Sequence, residues 1–89
     1  MHSILVVIEL PTEGADWSMF LGALEPKARR AKNTDRLAQN VWLIDMHKDP
    51  AFLGWLLSLC DQKGFPFRLL PFEKAPQWLP DGAGPARPK

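Results

Sequence analysis

The chain has 89 residues, 46% of them apolar and 24% charged, which is enough for one hydrophobic core and excludes a second domain. Eleven Lys and Arg against ten Asp and Glu leave a formal net charge of +1, so no global field draws the molecule to nucleic acid or to an anionic membrane, and an electrostatic partner has to be met by a local patch. The single cysteine, Cys60, excludes an internal disulfide, and no apolar run approaches the ~18 residues of a membrane span. The amino terminus lacks the basic start, long apolar stretch and small-residue cleavage site of a signal peptide and reads as mature sequence. The expectation is a soluble, cytoplasmic protein with no membrane partner.

Residues Ser3 to Leu10 are β-branched and apolar on both parities, Ile4, Val6 and Ile8 pointing one way and Leu5, Val7 and Glu9 the other, as in an interior strand. Pro11 to Gly14 ends it. Asp16 is then a cap for a helix whose apolar positions Trp17, Phe20, Leu21 and Leu24 recur at helical spacing, and Pro26 is expected to stop or kink that helix near Leu24. From Pro26 to Arg36 the chain is polar and reads as a loop with one further helical turn. Arg36 to Ala38 form a short strand turned by Gln39 and Asn40 into the next one.

That next strand, Asn40 to Met46, is apolar at almost every position and reads as buried on both faces. Asp49 and Pro50 start a second helix, with the aspartate accepting from free amides, and Gly64 closes it after Lys63 in the left-handed position glycine favours. Phe52, Trp55, Leu56, Leu59 and Cys60 form its apolar stripe, widened by Leu53 and Leu57. Phe65 to Phe72 is a last strand, and Pro66 and Pro71, which cannot donate to a ladder, place it at an edge. The compact domain is expected over residues 1–79, with a flexible Pro- and Gly-rich tail over 80–89.

This order is that of a single α+β sheet of βαββαβ type, the ferredoxin-like plan, with two helices on one face and the second strand short or missing. Apolar residues on both parities of the interior strands require a cover for the second face, supplied by the Trp78 segment or by another protein chain. The stretch Arg36 to Asp45, RLAQNVWLID, resembles the bent second-and-third-strand region of the small CRISPR-associated, ferredoxin-like nuclease and integration family and its antitoxin-like relatives. That resemblance implies a homodimer built through sheet faces or edge strands. Members that cut nucleic acid carry an aspartate at the end of the first strand, where this chain has Glu9, a departure that puts the metal-dependent activity in doubt although Glu also binds hard metals.

Candidate chemistry is sparse. Asp45, His47 and Asp49 alternate through DMHKD, but the spacing matches no metal motif, and a strand end running into a helix cap explains the same letters. Glu9, Asp45 and His47 are therefore weak metal candidates, and no cofactor is called for. Cys60 lies on an apolar stripe and reads as a small hydrophobe, no serine has a nucleophile-elbow context, and no glycine-rich phosphate loop is present.

Five cations, Lys27, Arg29, Arg30, Lys32 and Arg36, fall within ten residues and make a local positive patch, which suits phosphate or an acidic protein surface and otherwise serves only solubility. No aromatic residue interleaves with them, which favours a protein partner over nucleic acid. Trp17, Trp42 and Trp55 fall on element faces, whereas Trp78 on its proline-flanked segment is an interface anchor or a lid. The expected function is a small non-enzymatic interaction or regulatory module, of an inhibitor or antitoxin-like kind carried by a mobile element. Its contact residues are the basic loop together with Leu5, Val7, Trp42 and Trp78, and its partner is a protein or a second copy of itself. The alternatives are a metal-dependent nuclease using Glu9 and a non-catalytic nucleic-acid-binding module.

Overall fold

The computed structural model describes residues 1–79, so the expected tail over 80–89 lies outside the described residues. The domain is mixed α+β, one antiparallel four-stranded sheet with two helices. Its elements are β1 (Ser3–Ile8), α1 (Gly14–Arg30), β2 (Thr34–Ala38), β3 (Val41–Asp45), α2 (Pro50–Lys63) and β4 (Phe67–Phe72). The strand order is β2-β3-β1-β4, which puts the two most apolar strands inside.

Parity decides which side chains reach the core. Ile4, Val6 and Ile8 of β1 and Trp42 and Ile44 of β3 share one cluster with Trp17, Phe20 and Leu24 of α1 and Phe52, Leu56, Leu59 and Cys60 of α2. An aromatic group tightens one end of it. Trp17 stacks on Phe20 with ring centroids 5.1 Å apart, and Phe65, just before β4, sits 5.1 Å from Phe20 and 6.0 Å from Trp17. Phe65 is thus a core residue from the turn, and the last strand starts two residues later than the sequence pattern suggests.

The first helix departs most from expectation. It starts at Gly14 and runs through Pro26 to Arg30, so the basic segment up to Arg30 is helix and not loop. Proline at position 26 removes the amide that would bond the carbonyl of Gly22 and crowds that carbonyl with its ring. Both residues are exposed, and glycine 22 brings no side chain to the crowded turn. Beyond the proline, Ala28 still packs against the core and Ala31 is buried. Tertiary packing therefore carries the helix across a residue whose propensity opposes it.

The caps also differ from the sequence reading. Glu13, not Asp16, occupies the first cap, without a side-chain hydrogen bond, and Asp16 falls in the first turn. Asp49 does precede Pro50 at the start of α2, but its side chain makes no capping bond there. Its Oδ2 instead accepts from the Asn33 amide at 2.7 Å and the Thr34 hydroxyl at 3.0 Å, tying the α1–β2 turn to the start of α2. Gly64 closes α2 with φ 73°, in the left-handed region. β2 is a full five-residue strand from Thr34, longer than expected, with a bulge between Arg36 and Ala38.

β4 is the edge beside β1. The Glu9 backbone amide donates to the Pro66 carbonyl, so in the pairing that follows Val7 and Leu5 exchange bonds with Arg68 and Leu70, and the amide positions of Phe67, Leu69 and Pro71 turn outward. A proline is tolerated there because no ladder bond is lost. In α1, by contrast, Pro26 does forfeit a bond. Pro26→Ala is expected to raise unfolding stability by about 1–3 kcal/mol, read as a higher urea midpoint at unchanged m-value. An unchanged or lower midpoint would show that the proline's stiffening of the unfolded chain offsets the missing bond.

Candidate interaction surfaces

The strand parity that leaves the core forms an outer face. Its middle row runs across all four strands as Asp35, Leu43, Leu5 and Leu70, and the next row holds Val41, Val7 and Arg68. A third row brings Asp45, Ser3 and Phe72 together. Leu43 is 9% exposed although it belongs to no part of the core cluster, Leu5 and Val7 are half-buried, and Leu70 is 54% exposed. Phe67 and Leu69, on the other parity of β4, are exposed on the helix-bearing side of the sheet. Of the expected contact residues, Leu5 and Val7 lie on this face. Trp42 does not: it is 3% exposed, its ring lies 6.3 Å from that of Trp17, and it belongs to the core. Trp78 is 47% exposed and Leu79 87%, so neither is a closed lid over the domain.

The five cations are separated by the fold. Arg29 pairs with Glu25 one helical turn back at 2.9 Å. Arg36 donates to the Gln39 carbonyl at 2.7 Å, closing the β2–β3 turn, and lays its guanidinium 5.3 Å from the centre of the Trp42 ring. Lys32 is exposed in the turn before β2. Lys27 and Arg30 line a cleft between α1 and α2 and meet there a cation the sequence did not group with them, Lys48 of the β3–α2 turn. No single basic loop survives.

The metal candidates are also divided. Ser3 pairs with Asp45, so Glu9 stands beyond the other end of β1, about 20 Å away at a strand's rise per residue. Asp45 and Glu9 cannot hold one ion. Asp45 Oδ1 accepts from the amides of His47 at 2.8 Å and Lys48 at 2.9 Å, which shapes the β3–α2 turn. The rings of His2 and His47 meet edge to face at 6.1 Å. Among the described residues no group of three or more His, Cys, Asp and Glu side chains is placed to hold a metal ion. Burial pushes the Cys60 thiol up to about 11, which leaves it protonated and inaccessible at neutral pH.

Set against protein-family models, curated proteins and solved structures, the chain matches none. No helix among the described residues is long and apolar enough to cross a membrane.

Sequence reasoning missed Asp35, Arg68, Leu70 and Lys48. The alternation in FRLLPF held a signal for Arg68 and Leu70, because in a strand beside β1 they must share the parity of Leu5 and Val7. Nothing local in the sequence joins Lys48 to Lys27.

Two measurements follow from the titrating groups. The His47 and Lys48 amides, in that order, hold the Asp45 carboxyl below the ordinary 3.8, so its charged form stabilises the turn. That contribution is complete above the unfolded value and is lost as the pH falls through the lower folded value, so the melting temperature of the native chain should drop more steeply below about pH 4 than that of Asp45→Asn. Equal slopes would remove Asp45 from the acid response. Cys60 should stay unmodified by a thiol reagent at pH 8 until denaturant unfolds the chain. Modification at the rate of a free thiol would contradict its burial.

Proposed function

We propose that the chain is a small non-enzymatic interaction module that pairs with a second copy of itself through the outer face of the sheet. The observation that carries this reading is the self-complementary pattern of that face, an apolar band bounded by Asp35 on the β2 edge and Arg68 on the β4 edge. Both charges are exposed, and neither has an ion-pair partner among the described residues.

When two such faces meet about a two-fold axis parallel to the strands, the β2 edge of one copy lies against the β4 edge of the other. Asp35 of each copy then approaches Arg68 of the other. The two charges stand in adjacent rows, an offset of about 7 Å along the strand that an arginine side chain spans. An axis across the strands would instead set Asp35 against Asp35 and Arg68 against Arg68. The charges thus select one of the two symmetric arrangements, and apolar burial drives it.

The strand order, read from β4 as 4-1-3-2 with every neighbour antiparallel, supports the ferredoxin-like plan. Sheet-face pairing is a natural use of that plan, because its second face carries no helix. The nuclease alternative is the weaker reading, since Glu9 stands apart from Asp45 and His47. Four strands about 4.8 Å apart and about five residues long present roughly 300 Å² of sheet per copy, below the ~800 Å² per partner of a standard interface, so the pairing is of the weak class. The pairing should accordingly be concentration-dependent.

Sedimentation velocity across the micromolar range tests the reading. A reversible dimer is expected, weakened about tenfold or more by Leu70→Glu and by each of Asp35→Arg and Arg68→Asp, and recovered in the double charge exchange. A strictly monomeric native chain, or a double exchange no better than its parents, would falsify this pairing.

A further inference from the structure

We propose that the cleft between the end of α1 and the start of α2 binds a small organic phosphate, with the phosphate on its cationic rim and the organic body on its apolar floor. The cleft has a volume of about 580 Å³, within the range of small-molecule sites. Lys27, Arg30 and Lys48 line it together with one carboxylate, Asp49, and the apolar surfaces of Ala31, Pro50, Ala51, Phe52 and Trp55 complete it.

Charge is concentrated here beyond what composition requires. Three cations and Asp49 sum to +2, whereas the whole chain carries +1, so every other charged residue together sums to −1. The one carboxylate is already engaged, its Oδ2 taken by the Asn33 amide and the Thr34 hydroxyl. None of the three cations has a carboxylate partner among the described residues, in contrast to Arg29, which is held by Glu25. Lys27 and Arg30 stand in the last turns of α1, where the helix dipole alone favours cations. That explanation does not extend to Lys48, which reaches the same cleft from a turn 18 residues beyond Arg30 in the sequence. Convergence of unpaired cations from separate segments on one concave surface is the pattern of an anion site.

The floor sets the class of ligand. Trp55 is half-buried, and Lys27 Nζ lies over its ring at 5.8 Å from the centre, so a ligand that uses the aromatic surface meets the cation at the same place. An inorganic anion would use the rim and leave the floor empty. A planar organic body bearing one phosphate uses both, and a nucleoside monophosphate is the simplest such compound.

Titration of the isotopically labelled full chain with adenosine 5′-monophosphate, followed by amide and indole NMR signals, tests the proposal. Saturable shifts are expected at Arg30, Ala31, Lys48, Ala51 and Phe52 and at the Trp55 indole, with an apparent Kd of about 1 mM or tighter. Lys48→Glu and Arg30→Glu should each weaken binding about tenfold, while Lys63→Glu, at the other end of α2 and about 20 Å from Pro50 at a helix's rise per residue, leaves it unchanged. Inorganic phosphate should bind more weakly and leave the Trp55 indole signal in place. The proposal is overturned by an absence of saturable shifts at these positions, by equal loss in Lys63→Glu, or by inorganic phosphate binding as tightly as the nucleotide. Each variant is also melted, so that a loss of fold is not taken for a loss of site.

Discussion

The register of β1 against its two neighbours is the constraint on which the rest of the structure depends. β1 is hydrogen-bonded along both edges, to β3 on one side and β4 on the other, so its parity fixes theirs. A slip of one residue would exchange Ile4, Val6 and Ile8 for Leu5, Val7 and Glu9 beneath the helices. Because both sets are largely apolar, burial alone discriminates weakly between the two registers. Asn40 supplies a local lock: its Nδ2 donates to the Ile8 carbonyl at 2.6 Å while the Ile8 amide donates to the Asn40 carbonyl at 2.9 Å. Two bonds from one turn residue hold the end of β1 in place, and the same turn is closed from its other side by Arg36.

Much of the element order was legible because it rests on period and punctuation. The β-branched, apolar run of SILVVI, the apolar run of β3, the helical stripe of Phe52, Leu56 and Leu59, and Gly64 at a positive φ all speak through local chemistry. The misreadings arose where distant contacts overrule that chemistry. Pro26 signals a helix end, and only the packing of Ala28 and Ala31 carries α1 past it. Asp49 has the look of a cap, yet Asn33 and Thr34 claim its carboxylate, a bond spanning 16 residues in one case and 15 in the other.

The candidate sites follow the same division. Leu5 and Val7 could be found because strand parity is visible in a row of letters. The basic segment could not be resolved by counting, because helix geometry sends Arg29 to Glu25 and Lys27 and Arg30 to the cleft, while strand geometry sends Arg36 onto Trp42. Trp42 misled for the opposite reason. Its position on an interior strand is compatible with either face, and only the register with Val6 assigns it to the core.

The outward amide positions of β4 bear on whether the sheet can be extended from its edge. An exposed edge strand ordinarily offers a template on which further strands add one after another, a route to open-ended, fibrous growth. On β4 that template is interrupted, since of the three outward positions Phe67, Leu69 and Pro71 the last has no hydrogen to offer. The other edge, β2, is bulged, with Asp35 and Arg36 exposed upon it. Neither border of the sheet favours extension by added strands, so the fold itself guards against open-ended growth from its edges.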